Sequence, residues 1–437
     1  MDSGSDGRGL RAATLRSAVK SAGALIATTL VSTLVVGCAV VLGFDGPILL
    51  AGPEAAAPEG GATSDAGIVA VGKWSSLPLP PRTFGGRDGH TAVWTGTSMI
   101  LWGGETALGS ANDGAAFDPT TGTWSTLPPA PIGPRSNHAA IWTGREMIVW
   151  GGADFFRERF FVDGASYDPV TATWTVLPAP PPSFRARFSA AAVWSTTTGE
   201  LIVWSGSTAT LLESAEDGAA YKPETKSWRL IRRAPVEGRS STAAVWSGRR
   251  LIFLGGTVCA SNVALYCSDG ASYDPVDDRW TVLPPPPRGM LNGPTEHIAV
   301  TVAAPGGEAA VFWGGLQNGI YPSVYSAKGA VFDEATESWT ELATPSLDDF
   351  ARAPRGLPST FATGSRFFVW GGVDSVSVLD DGALYDVSTG AWSQVAKGNL
   401  TGRQNATVVW TGSSAIFWGG SGAAVGVYLD DGAIFTP

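Results

Sequence analysis

The stretch Arg87–Pro131, RDGHTAVWTGTSMILWGGETALGSANDGAAFDPTTGTWSTLPPAP, recurs along the chain, and this recurrence limits the fold more than any other feature. It holds an apolar run ending at Trp94, a TG turn, and a second run ending at Trp102 and Gly103-Gly104. A loop, DGAAFDP, a tight turn and a last run opening at Trp124 follow. Four short strands cannot bury both of their faces alone, so such a unit stacks on copies of itself. The Gly pair returns at Gly151-Gly152, Ser205-Gly206, Gly255-Gly256, Gly314-Gly315, Gly371-Gly372 and Gly419-Gly420, which makes seven units. The Trp opening the fourth strand also occurs seven times, at Trp74, Trp124, Trp174, Trp228, Trp280, Trp339 and Trp392.

The two series are offset. Trp74 precedes the first complete unit, and the last unit reaches Phe435-Thr436-Pro437 without a fourth strand. A strand near Val69–Leu77 is therefore expected to complete the last unit and remove the open sheet edges. The fold predicted for residues 67–437 is all-β, a seven-bladed β-propeller closed by an N-terminal strand. The 56 Gly, 30 Pro and 18 Trp suit a turn-rich, strand-rich chain. A formal net charge of −10 argues against nucleic acid, whose phosphates need a basic surface.

Residues 1–20 carry Arg8, Arg11, Arg16 and Lys20, and residues 21–44 carry no charge. At about 1.5 Å per residue that run spans a bilayer core of about 30 Å. Basic residues before it, and Asp45, Glu54 and Glu59 after it, put the N-terminus in the cytoplasm and the rest outside. A signal anchor is the favoured reading. A lipoprotein signal competes, because Leu34-Val35-Val36-Gly37-Cys38 resembles a lipobox with Cys38 as the lipidated residue, and so does a cleaved signal. Residues 45–66, rich in Pro, Ala and Gly, read as a flexible linker. Cys259 and Cys267 stand close together in one loop and, outside the cytoplasm, are expected to form a disulfide.

The wording of the unit, an Arg, a His, a WTG turn, a WGG strand end, DGAxYDP and a Trp, resembles the kelch repeats of galactose-oxidase-like propellers, over roughly residues 67–437. The resemblance implies the fold. It leaves the function open, because these propellers include binders, scaffolds and some enzymes, among them sialic-acid mutarotases. The copper-oxidase branch needs clustered His and Tyr ligands and a Cys beside a Tyr. Tyr266-Cys267 are adjacent here, but the His cluster is missing.

The repeat also absorbs most residues that could carry chemistry. All 18 Trp fall at repeat positions and are expected to pack between blades. His90, His138 and His297 share one position in units one, two and five, which do not converge on a metal, so they are expected to be hydrogen-bonded strand residues. No metal, cofactor or catalytic constellation is expected. Arg87, Arg135, Arg187, Arg239, Arg355 and Arg403 precede first strands, and Asp113, Asp163, Asp217, Asp269, Asp381 and Asp431 precede third strands. Unit five has Pro294 and Lys328 instead, and the joint loss suggests that the two partner each other within a blade. An Arg ring receiving a ligand carboxylate is the alternative.

In a four-stranded meander the second-to-third and fourth-to-first connections share one face. Those connections are long and dissimilar here, whereas the opposite face has tight turns such as TGTS and TGRE. Tyr266, Tyr321, Tyr325 and Tyr428 lie in second-to-third loops, and Phe155, Phe156, Phe160 and Phe161 flank Arg157 and Arg159 in another. Exposed aromatics beside Arg suit recognition. The candidate binding residues are Arg157, Phe160, Tyr266, Tyr321, Tyr325 and Tyr428. The expected role is a membrane-tethered, extracytoplasmic module that binds a protein, peptide or glycan of the cell envelope. A sugar-processing enzyme is the alternative, with Asp154, Glu158, Glu213 and Glu296 as scattered loop carboxylates.

Overall fold

Alternating apolar strands, Gly-marked turns and the seven-fold repeat fold as the sequence predicts. The structure is a computed structural model; it describes residues 70–437 except 209–212, 258–265, 291–295, 306, 319–323 and 347–353. Seven four-stranded antiparallel sheets form the blades. In blade one, Thr91–Trp94, Met99–Trp102, Gly114–Asp118 and Thr123–Thr126 pair in sequence order. Blades two to six repeat this order, beginning at Ala139, Ala191, Ala243, Ile298 and Ser359. Each first strand touches the first strands of both neighbouring blades, and the last touches the first, so these strands line a closed ring.

Blade seven closes as expected. Its first three strands are Thr407–Trp410, Ala415–Trp418 and Gly432–Thr436, and its outer strand is Lys73–Ser76. Lys73 pairs with Thr436 and Trp74 with Phe435. The second strand of every blade is buried on both sides, and apolar clusters fill the seams between consecutive blades.

The conserved wording of the repeat has physical causes. Each fourth-strand Trp donates its indole N–H to a carbonyl just past the fourth strand of the preceding blade: Trp124 to Pro78 at 2.7 Å, Trp174 to Pro128 at 3.0 Å, and Trp74 to Ala396 at 2.8 Å. All seven of these Trp make the bond, so it runs round the whole ring. The Asp of the Asp-Pro turn accepts from the N–H two residues on, as Asp118 does from Thr120 at 2.8 Å, which fixes the third-to-fourth turn. Gly103 and Gly104 have φ of 68° and 99°, and a Cβ on Gly104 would lie 2.7 Å from that of His90, so the close approach also requires Gly.

The apolar segment 21–44, the linker 45–66 and Cys38 lie outside the described residues. Among the described residues, no helix is long and apolar enough to cross a membrane.

Candidate functional site

The Arg and Asp of the repeat meet within each blade. Arg87–Asp113, Arg135–Asp163, Arg187–Asp217, Arg239–Asp269, Arg355–Asp381 and Arg403–Asp431 all lie between 2.7 and 3.0 Å. The guanidinium is buried, and the carboxylate is about half exposed except at Asp381, where it is about a quarter exposed. The Arg also donates to the backbone carbonyl of the first residue of the Gly pair, as Arg87 does to Gly103 at 3.0 Å. Arg87 further stacks on Phe84 at 3.7 Å and Arg135 on Phe161 at 4.0 Å. The Arg is thus a pin through the loop face rather than a free anion receptor. In blade five, Lys328 turns instead to Thr344 at 3.0 Å and Glu341 at 3.7 Å.

The histidines are seam residues. His90 Nε2 bonds Thr407 Oγ1 of blade seven at 2.8 Å, and His138 Nε2 bonds Thr91 Oγ1 of blade one at 2.7 Å. Each lies edge-on to a Trp of the preceding blade, His90 to Trp418 and His138 to Trp102. His297 leans on Phe312 and meets the backbone of Leu254 in blade four. Burial, then the charge of Arg87, holds His90 down at about 3, and burial holds His297 at about 4. Among the described residues no group of three or more His, Cys, Asp or Glu could hold a metal ion.

The loop face differs from blade to blade. The residue after the Arg bridges to the residue after the Gly pair, as in Asp88–Glu105, Ser136–Ala153, Phe188–Ser207 and Gln404–Ser421. Between blades seven, one and two these rows are polar. Asp88 and Glu105 exchange both backbone hydrogen bonds, at 3.0 and 2.7 Å, which places their carboxylates on one side of the ladder. Asp88 accepts from the Ser421 hydroxyl and from Asn405 Nδ2, and Glu105 from Ser110 Oγ at 2.8 Å. Burial pushes both carboxyls above their usual range against these bonds, and the Asp154 charge adds to the rise at Glu105. Burial, then Glu105 and Asp88, pushes the Tyr428 hydroxyl up to about 12. Sequence reading missed Asp88 and Glu105. The available signal was that they stand in rows where other blades carry neutral residues such as Ser136, Ser207 and Thr257.

At the next seam the rows are aromatic. Phe155, Phe160 and Phe188 form a knot with ring centroids 4.9 to 6.3 Å apart. The expectation of exposed aromatics is corrected here: Phe155 is buried and Phe160 half-buried, because the loop packs its rings on its own base. Arg157 is half exposed and pairs with Asp154 at 2.8 Å. Tyr325 is buried against Gly356 of the next blade, which corrects its expected exposure. Tyr266 and Tyr428 are half-buried. Tyr321 and Cys259 lie outside the described residues. Cys267 is disulfide-bonded, and its partner also lies outside them.

What rises above this base is apolar. Leu108 of blade one is 95 % exposed, Phe156 of blade two 74 %, and Val425 of blade seven 82 %. A cleft of about 600 Å³ opens between the loops of blades seven and one, lined by Leu108, Val427, Tyr428, Asn112, Arg82 and Asp113.

The family model of the KLHDC2/KLHL20/DRC7 Kelch-repeats domain matches residues 67–256, and the same unit continues through all seven blades. Residues 67–256 thus match kelch repeats, and the chain is a seven-bladed β-propeller. A solved structure titled "Structure of YjhT" is similar to this propeller with a TM-score of 0.54 at 15 % identity, covering 73 % of this chain and 99 % of that one. At that identity the likeness is one of fold. A search of curated proteins finds no match. Kelch propellers are suited to protein interaction, and in this chain the loop face is the part that the repeat does not dictate.

Proposed function

We propose that this propeller is a membrane-tethered, extracytoplasmic interaction module whose long-loop face takes a protein, peptide or glycan of the cell envelope. One observation carries the reading. Leu108, Phe156 and Val425 stand exposed at loop tips of three consecutive blades, while the Arg, His and Trp of the repeat are spent on internal contacts. Exposed apolar side chains on a polar base are how binding surfaces are built. Arg157 and Tyr428 border these tips, Phe160 braces the blade-two loop against Phe188, and half-buried Tyr266 belongs to the blade-four loop of the same face. The location rests on the charge-free run 21–44 behind a basic segment and on the disulfide at Cys267, since disulfides persist in oxidising compartments.

The test is photocross-linking of the full chain in isolated cell envelopes. Leu108→Ser/Phe156→Ser/Val425→Ser is expected to lose the cross-linked adduct while its thermal melting stays unchanged. An adduct that persists at full yield defeats the loop-face reading. A reporter fused after residue 437 that is active only in the cytoplasm defeats the location.

A further inference from the structure

The opposite, tight-turn face has a cleft of its own, at the seam where strand ends of blades one and two meet. The seam between blades three and four is plugged. Arg229 of blade three pairs with Glu200 at 2.7 Å and donates to the Tyr273 hydroxyl of blade four at 3.2 Å. Tyr273 in turn donates to Asp278 at 2.7 Å.

The seam between blades one and two is built on the same frame. Register fixes the correspondence. Ala116 pairs with Ser125 as Ala220 pairs with Arg229, and Met99 pairs with Trp94 as Leu201 pairs with Trp194. Ser125 therefore stands where Arg229 stands, Ser98 where Glu200 stands, and Tyr167 where Tyr273 stands. Two serines replace an ion pair, and a cleft of about 460 Å³ remains. Half-buried Trp142 and the edge of Tyr167 form one wall, Ser98, Ser125 and Thr95 the other, and Arg145, 83 % exposed and 3.5 Å from the Asp168 carboxylate, stands at the mouth.

We propose that this seam cleft binds a saccharide ring. A pyranose has an apolar C–H face and a rim of hydroxyls that both donate and accept. The cleft matches that division. An indole with accessible surface suits the C–H face. Serine hydroxyls donate and accept in turn, and a guanidinium fork serves paired oxygens. The volume falls in the range of small-ligand pockets, whereas a purely apolar ligand would strip water from the serines without replacing their bonds. The site lies on the face away from the long loops and stands independently of the interaction reading.

Blade three supplies the control. Ser98→Glu/Ser125→Arg copies its ion pair into the seam and fills the cleft with a pair the same frame already accommodates. The full chain is tested by saturation-transfer NMR against methyl glycosides of glucose, galactose, N-acetylglucosamine and glucuronic acid. At about 10 mM, suited to weak binding, at least one glycoside is expected to show transfer. That transfer is expected to fall about tenfold or more in the plugged variant and in Trp142→Leu, and to stay unchanged in Phe156→Ser. Melting of the plugged variant within a few degrees of the parent shows that it folds. Absence of transfer from all four glycosides, or equal transfer in the folded plugged variant, overturns the proposal.

Discussion

Replacing Arg135 by Leu should cost the propeller far more than replacing its ion-pair partner Asp163 by Ala. The Arg135 guanidinium is fully buried, and the Asp163 side chain is 49 % exposed. Arg135 donates to three backbone carbonyls, those of Gly133, Gly151 and Asp163, at 2.9, 3.0 and 3.2 Å, and stacks on Phe161. Removing it strands three carbonyls that have little access to water, at about 1–3 kcal/mol for each buried acceptor left without a donor, or on the order of 4 kcal/mol together. Removing Asp163 ends one half-exposed ion pair and leaves the carbonyl bonds in place, which costs about 1 kcal/mol. At about 2.1 cal/mol/K per residue over roughly 370 residues, 4 kcal/mol lowers Tm by about 5 °C, and 1 kcal/mol by little more than 1 °C. Urea unfolding of the full chain, followed by Trp fluorescence, measures the difference directly. Equal losses, or a larger loss for Asp163→Ala, would refute the view that the Arg serves the backbone first and the carboxylate second.

Trp74→Ala should loosen blade seven, since Trp74 holds the closing strand through its bond to Ala396 and its contact with Phe435 at 5.0 Å. A loss of about 3–5 kcal/mol is expected, read as faster amide exchange across Gly432–Thr436. The buried histidines make the fold acid-sensitive. Their folded values lie below the ordinary 6.5, at about 3 for His90 and about 4 for His297, so the unfolded chain takes up the protons. Stability is complete above about pH 6.5 and falls as the pH drops toward 4, by about 3 kcal/mol at most for His297. His297→Phe should flatten that slope, and an unaltered pH profile would contradict the assignment. A non-reduced digest should release one linked peptide pair joining Cys259 and Cys267; a link from Cys267 to Cys38 would contradict the sequence reading.

The architecture was legible because it is written seven times. The Gly pair, the strand-opening Trp and their offset gave the blade count and the closure by the strand around Trp74. The Arg–Asp pairing was legible from its joint absence in unit five. The loop face was legible only as a location. Asp88 and Glu105 are separated along the chain and become neighbours through a backbone bridge that no spacing announces. Aromatic content also misled as a sign of exposure, because a loop rich in Phe can pack on itself, as Phe155, Phe160 and Phe188 do. Tyr325 is covered by the adjoining blade, a contact set by the ring rather than by its own loop.

The closing strand has a consequence for synthesis. Lys73 leaves the ribosome well before its partner Thr436, which emerges only after the other six blades. Until then the outer strand Lys73–Ser76 has no inner partner, and the Trp74 indole has no Ala396 carbonyl until blade six is complete. Pairing of such remote segments is slow, because most of the loop entropy is lost before any contact is gained. The nascent protein therefore carries an unpaired strand while the other six blades are made, and that is the interval in which a holding chaperone would matter most.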